Sequence, residues 1–162
     1  MAFGTGHHPS TKMCLAEIEN RASKYTTVLD LGCGSGILSV AAALVGSPKV
    51  VGIDIDPIAV KTANNNSVKN NVHEQINIYQ GSLPDAKVTV GSFDIAVANI
   101  SAKVLVEVAP HLVEAIRKDG TIIASGLLSE NQDLVQSAIE MAGGKNISSL
   151  NEDGWSTIIA TK

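Results

Sequence analysis

Short apolar runs alternate along this chain with stretches where apolar residues return every third or fourth position. These are the signatures of buried strands and of helices with one apolar face. A Gly-rich opening, Phe3 to His8, leads into a helix predicted from about Pro9 to Ala22. Pro9 suits a first helical turn, and Cys14, Leu15, Ile18 and Ala22 form the buried stripe. Strand Thr27 to Leu31 follows, then a helix from about Ser35 to Val45 ended by Gly46. A second strand, Lys49 to Asp54, runs up to Asp56-Pro57, an N-cap and first-turn proline that open a helix to about Asn70.

Further on, Ile76 to Tyr79 reads as a short strand and Phe93 to Ala98 as a continuous apolar strand buried on both faces. A helix is predicted over Ala102 to Arg117, a turn at Lys118-Asp119-Gly120 and a strand over Thr121 to Ser125. Ser129 and Gln132 have capping-box spacing at the head of a helix to about Met141, which Gly143-Gly144 stops. The last two strands, Asn146 to Leu150 and Trp155 to Thr161, flank Asp153-Gly154, a hairpin signal. The expected fold is therefore α/β: a mostly parallel seven-stranded sheet with helices on both faces and a C-terminal antiparallel hairpin.

Composition narrows the class. At 162 residues, 44% hydrophobic and 17% charged, the chain is expected to form one compact domain. A net charge of −4 leaves no overall basic field, so direct nucleic-acid binding is not expected. Two cysteines, Cys14 and Cys33, offer no disulfide framework and suit a reducing compartment. Apolar runs are broken well short of the ~20 residues that span a bilayer. The first residues lack the basic and apolar regions of a signal peptide, so a cytoplasmic location is expected. No metal-ligand cluster or catalytic triad is visible, and nothing in the pattern specifies an oligomeric state.

Candidate chemistry concentrates at the end of the first strand. Val28-Leu29-Asp30-Leu31 runs into Gly32, Gly34 and Gly36, and the next strand ends on Asp54, twenty-two residues past Gly32. Strand, glycine turn, helix, strand and acid describe a nucleotide-type pocket at the carboxyl edge of a parallel sheet. A dinucleotide fingerprint, G-x-G-x-x-G, needs glycine at position 37, which is Ile37. The spacing found, G-x-G-x-G, resembles instead the S-adenosyl-L-methionine (AdoMet) site of Rossmann-like methyltransferases. The turn would bring its amides and a helix start to the methionine carboxylate, and Asp54 would accept from the ribose hydroxyls. Asp30 would either pin the glycine-loop amides or reach the methionine ammonium. Ser82, just past the third strand, sits where an adenine contact is expected, although a plain turn explains it equally.

Three further segments carry a closer likeness: Ala2-Phe3-Gly4-Thr5-Gly6-His7-His8-Pro9-Ser10-Thr11, Val51-Gly52-Ile53-Asp54-Ile55-Asp56-Pro57 and Val97-Ala98-Asn99-Ile100. In this order the chain resembles the ribosomal protein L11 methyltransferases, the PrmA family, over almost its whole length. The likeness covers the catalytic half of a typical member, without the amino-terminal domain that recognises the ribosomal substrate. It implies AdoMet contacts at Thr11, Gly32, Asp54 and Asn99, with Gly34 and Thr5 close by and Gly4-Thr5-Gly6 as a flap. It further implies a ribosomal protein as acceptor. His7 and His8 would be either solvated loop residues or part of a substrate channel.

The chain departs from the family after Asn99. Members commonly read Asn-Ile-Leu-Ala-Gly-Pro-Leu where this chain has Asn99-Ile100-Ser101-Ala102-Lys103-Val104-Leu105. Nor is there the Asn/Asp-Pro-Pro-aromatic run that stacks on planar acceptors, so an aliphatic amine, a lysine or a chain terminus, fits better. Asn99 would act at the reacting end, and the backbone near Asn99-Ile100 would favour a neutral amine. Capping of the next helix is its bland alternative. A methyltransferase for another protein or small molecule, or a non-catalytic AdoMet-binding fragment, remains the alternative expectation.

Overall fold

The computed structural model describes residues 6–162. Among the described residues, seven strands and five α-helices follow one another: α1 (Pro9–Arg21), β1 (Thr27–Leu31), α2 (Ile37–Leu44), β2 (Lys49–Asp54), α3 (Pro57–Lys69), β3 (Ile76–Gln80), β4 (Phe93–Asn99), α4 (Ala102–Ala115), β5 (Ile116–Leu128), α5 (Gln132–Met141), β6 (Lys145–Glu152) and β7 (Trp155–Thr161). They form one sheet in the order β3-β2-β1-β4-β5-β7-β6. The first five strands pair in parallel, and β7 lies antiparallel between β5 and β6. The chain moves outward from β1 through β2 to β3, then returns to place β4 on the other side of β1. That reversal opens a crevice at the carboxyl ends of β1 and β4, where ligands of open α/β sheets bind.

Strand alternation divides the core into two layers. Leu29, Val51, Ile53, Ala96, Ile122 and Ile158 face α4 and α5. Val28, Val50, Val97, Ile123 and Ile159 face the side covered by Cys14 and Ile18 of α1 and Leu38 of α2. Burial on both faces is why these strands read as unbroken apolar runs rather than alternating ones.

Three boundaries differ from expectation. The helix predicted to reach Arg117 stops at Ala115, because Ile116, fully buried, pairs with Phe93 at the start of β5. Lys118-Asp119-Gly120 then becomes an irregularity inside a thirteen-residue strand, with Asp119 at φ +64°. The capping box at Ser129 does not form. Ser129–Asn131 is a 3-10 turn, and Asn131 caps α5 without a side-chain bond. Ser129 and Gln132 instead tie this turn to the hairpin: Ser129 Oγ reaches Asn151 Oδ1 at 3.2 Å and Gln132 Nε2 donates to Ser149 Oγ at 3.1 Å. Finally, α2 begins at Ile37, two residues late, because Gly32, Gly34 and Gly36 all hold positive φ. At Gly36 the glycine answers to packing, since a Cβ there would stand 2.9 Å from that of Ala63 in α3.

Candidate functional site

The glycine loop is tied down by β2. Gly32 N and Cys33 N both donate to Ile53 O, at 2.7 and 3.0 Å, and Gly36 N donates to Cys33 O at 2.8 Å. Gly34 N donates to Asp54 Oδ2 at 2.8 Å, while Asp56 N holds Asp54 Oδ1 at 2.9 Å. Asp54 is thereby fixed by one amide on each oxygen and keeps spare lone pairs for a ligand. As expected, the helix cap falls to Asp56, which accepts from Ile58 N at 2.8 Å. The loop amides are a correction to the sequence reading: those of residues 32, 33, 34 and 36 are all engaged within the protein. At the start of α2, Ile37 and Leu38 occupy the first turn, where amides have no intrahelical acceptor.

Two cavities adjoin across this loop. The larger, about 260 Å³, is lined by Gly32, Gly34, Asp54, Ile55, Ser82, Ile100 and Val104 among others. The smaller, about 50 Å³, is lined by Thr11, Gly32, Cys33, Gly34, Ile37, Leu38 and Asn99. Six of the predicted site residues, Thr11, Gly32, Gly34, Asp54, Ser82 and Asn99, therefore meet at one sheet edge. Thr5 lies outside the described residues. A separate cleft of about 380 Å³, between the β3–β4 connection and α4, is bounded by residues such as Leu83, Val88, His111 and Glu114. It contains none of the predicted site residues.

Asn99 links α1 to the sheet edge. Its Nδ2 donates to Thr11 Oγ1 at 3.2 Å, and α4 is capped by Ser101 rather than by Asn99. Its Oδ1 is buried with no hydrogen-bond partner among the described residues. A buried acceptor without a donor costs roughly 1–3 kcal/mol.

Asp30 is placed differently from expectation. It is 1% exposed and lines neither cavity. Gly36 offers α2 no side-chain cap, and Asp30 supplies one from below: Ser39 Oγ donates to its Oδ2 at 2.6 Å and the Ser39 amide also bonds to it. Burial pushes its carboxyl up to about 6, against the opposing effect of these Ser39 bonds. The acid thus pins the start of α2 rather than the loop amides. Burial, then the charges of Asp30 and Asp54, push the Cys33 thiol well above its ordinary range. His8 is the side-chain cap of α1, accepting from Ser10 N at 3.2 Å, and packs edge-on to Trp155 at 4.4 Å. His7 is exposed, and neither histidine lines the two cavities.

Sequence reasoning missed the apolar wall formed by Ile55, Ile100 and Val104. A signal existed for Ile55: an isoleucine between Asp54 and Asp56, past the strand end, has no core to enter and is 73% exposed.

Fold and site together define a Rossmann-like methyltransferase class. An RNA methyltransferase from Salinibacter ruber, solved with S-adenosyl-L-homocysteine, shares the fold at a TM-score of 0.73 and 20% identity, with 95% of this chain and 93% of that one covered. The ribosomal protein L11 methylase from Lactobacillus delbrueckii subsp. bulgaricus superposes at a TM-score of 0.86 with 30% identity, covering 97% of this chain and 81% of that one. The family model for ribosomal protein L11 methyltransferase (PrmA) matches residues 1–162, and the chain belongs to that family. A ribosomal protein L11 methyltransferase of Bacillus pumilus is 40% identical over 162 residues, which are 100% of this chain and 51% of that protein. The corresponding Clostridium botulinum protein is 40% identical over 161 residues, 99% of this chain and 50% of its own length. The chain thus spans about half the length of the curated relatives it matches.

Proposed function

We propose that this chain binds AdoMet and transfers its methyl group to an aliphatic amine, a lysine side chain or chain terminus, of a large-subunit ribosomal protein. The observation that carries this reading is the convergence of Thr11, Gly32, Gly34, Asp54, Ser82 and Asn99 on adjoining cavities at one sheet edge. AdoMet, when bound, supplies an activated methyl group and a neutral thioether leaving group. Asp54 would hold the ribose, the first-turn amides of α2 the methionine carboxylate, and Asn99 would close the reacting end of the pocket. Ser82 with Ile55, Ile100 and Val104 would enclose the adenine.

The protein's remaining task is alignment and exclusion of water. Proximity and orientation of this kind supply roughly 7–11 kcal/mol. A lysine amine, charged in neutral water, must also shed its proton. Desolvation at the reacting end of the pocket would disfavour the ammonium. The absence of an aromatic at Asn99-Ile100-Ser101-Ala102 favours an aliphatic amine over a planar acceptor.

Incubation with methyl-labelled AdoMet and purified ribosomal proteins tests the reading. Label in one large-subunit protein is the expected result. Label in another protein or small molecule would reassign the acceptor, and calorimetric binding of AdoMet without transfer would reduce the chain to a binding fragment.

A further inference from the structure

Behind the acceptor side of the cavity lies an irregularity in β5. Ala124 pairs with Ile158 and Leu127 with Ser156, so Ser125 and Gly126 together face the single residue Thr157. This is a β-bulge, a device that bends one strand and re-aims its residues. On its other edge, β5 pairs Ser125 with Asn99 at the tip of β4, and Ser125 O accepts from Ile100 N at 3.0 Å. Gly126 holds φ +86° directly against that tip. A Cβ at Gly126 would stand 2.5 Å from Ile100 O, 2.8 Å from Ile100 N and 3.0 Å from Asn99 Oδ1. Two of these are backbone atoms, which cannot swing aside as a flexible side chain does. On the far side, Ile100 Cγ2 would lie 2.4 Å from a Cβ at Gly32. Ile100 is therefore pressed between two glycines, one in the cofactor loop and one in the bulge.

We propose that Gly126 is a positioning residue, whose missing side chain sets how far the Asn99–Ile100 segment stands back from the cofactor cavity. The inference rests on the AdoMet reading above and goes beyond it, because Gly126 lines neither cavity. Its effect passes through Asn99 and Ile100. The unpartnered Asn99 Oδ1 and the Nδ2 bond to Thr11 both depend on an amide orientation that leaves the oxygen facing Gly126. Any side chain at 126 would drive Asn99–Ile100 forward and rotate that amide out of register with Thr11.

Calorimetric titration with S-adenosyl-L-homocysteine, on proteins shown to be folded by circular dichroism, tests this. Wild type should bind, and failure of wild type to bind would overturn the AdoMet reading itself. Given binding, Gly126→Ala should weaken it at least tenfold, and the loss should be smaller but not abolished in an Asn99→Ala background, because coupled neighbours are not additive while the clash with the Ile100 backbone persists there. Equal loss in both backgrounds, or no loss, would overturn the inference. Gly126→Asn separates space from backbone strain, because asparagine tolerates positive φ yet carries the same Cβ. It should bind no better than Gly126→Ala, and recovery of wild-type affinity would assign the glycine to backbone conformation alone. Hydrogen exchange on wild type needs no variant: the ligand should slow exchange of the Gly126 and Leu127 amides several-fold. Unchanged exchange there would sink the proposal.

Discussion

The two walls of the cofactor cavity are held by different means. On the glycine-loop side the supports are hydrogen bonds between segments that each carry a motif: Gly34 N to Asp54, Gly32 N and Cys33 N to Ile53 O. On the Asn99 side the supports are one strand-end bond, Ile100 N to Ser125 O, and close packing on Gly126. Bonds to a carboxylate are strong and directional, and their loss leaves a charge misplaced. Packing on a glycine fails only when something is added. The first wall should therefore break under truncation, and the second under enlargement.

The largest effect follows from truncating the first wall. Asp54→Ala removes the acceptor of Gly34 N and Asp56 N together with the group assigned to the ribose. The expected loss in S-adenosyl-L-homocysteine affinity is roughly 100-fold, about 3 kcal/mol, from two or more charge-assisted bonds. Calorimetry measures it. A loss under tenfold would erase the asymmetry between the walls.

This contrast also explains what was legible beforehand. Asp54, Gly32 and Gly34 sit in short contiguous motifs, where strand end, glycine spacing and helix cap reinforce one another. Thr11 and Asn99 were reached through a family likeness, and their mutual bond spans eighty-eight positions. Gly126 had no local signal at all. Its neighbours in sequence describe an ordinary strand, and only the pairing of β5 with both β4 and β7 creates the bulge. Asp30 was legible as special but not in role, because a strand acid one residue from a glycine turn can point up into the pocket or down beneath the helix. The alternation that sends Leu29 and Leu31 to one face puts Asp30 on the other, under α2. The absent capping box teaches the same lesson: Ser129 and Gln132 had the right spacing, but the hairpin offered their side chains better partners.

Asp30 makes the glycine-loop side testable by pH. Its folded pKa, about 6, lies above the ordinary 3.8, so between those values the folded protein keeps a proton that the unfolded chain releases. The stability this confers is complete below the ordinary carboxylate range and is lost as pH rises through about 6. Asp30→Asn cannot titrate. Relative to wild type, the variant should gain stability on the order of 2 kcal/mol between pH 4 and pH 7, read as the difference between paired thermal melts. A constant difference across that range would mean that Asp30 is not buried as a capping carboxylate, and the account of how α2 is pinned would fall with it.

The smallest effect checks that legibility and function are separate matters. The turn at Asp153-Gly154 was as readable as the glycine loop, and both residues take positive φ, +50° and +81°. No atom lies within 4 Å of a Cβ built at Gly154, so Gly154→Ala adds backbone strain and nothing else. That strain costs about 1–2 kcal/mol, which lowers the melting temperature by a few degrees in a chain of this size. Ligand affinity should not change, because neither residue of the turn lines either cavity. The hairpin does reach the bulge, however, through Thr157 Oγ1 and Ser125 Oγ, 2.6 Å apart. If Gly154→Ala weakened ligand binding while remaining fully folded, β7 would count as part of the second wall, and the support behind Asn99 would extend from one glycine to the whole C-terminal hairpin.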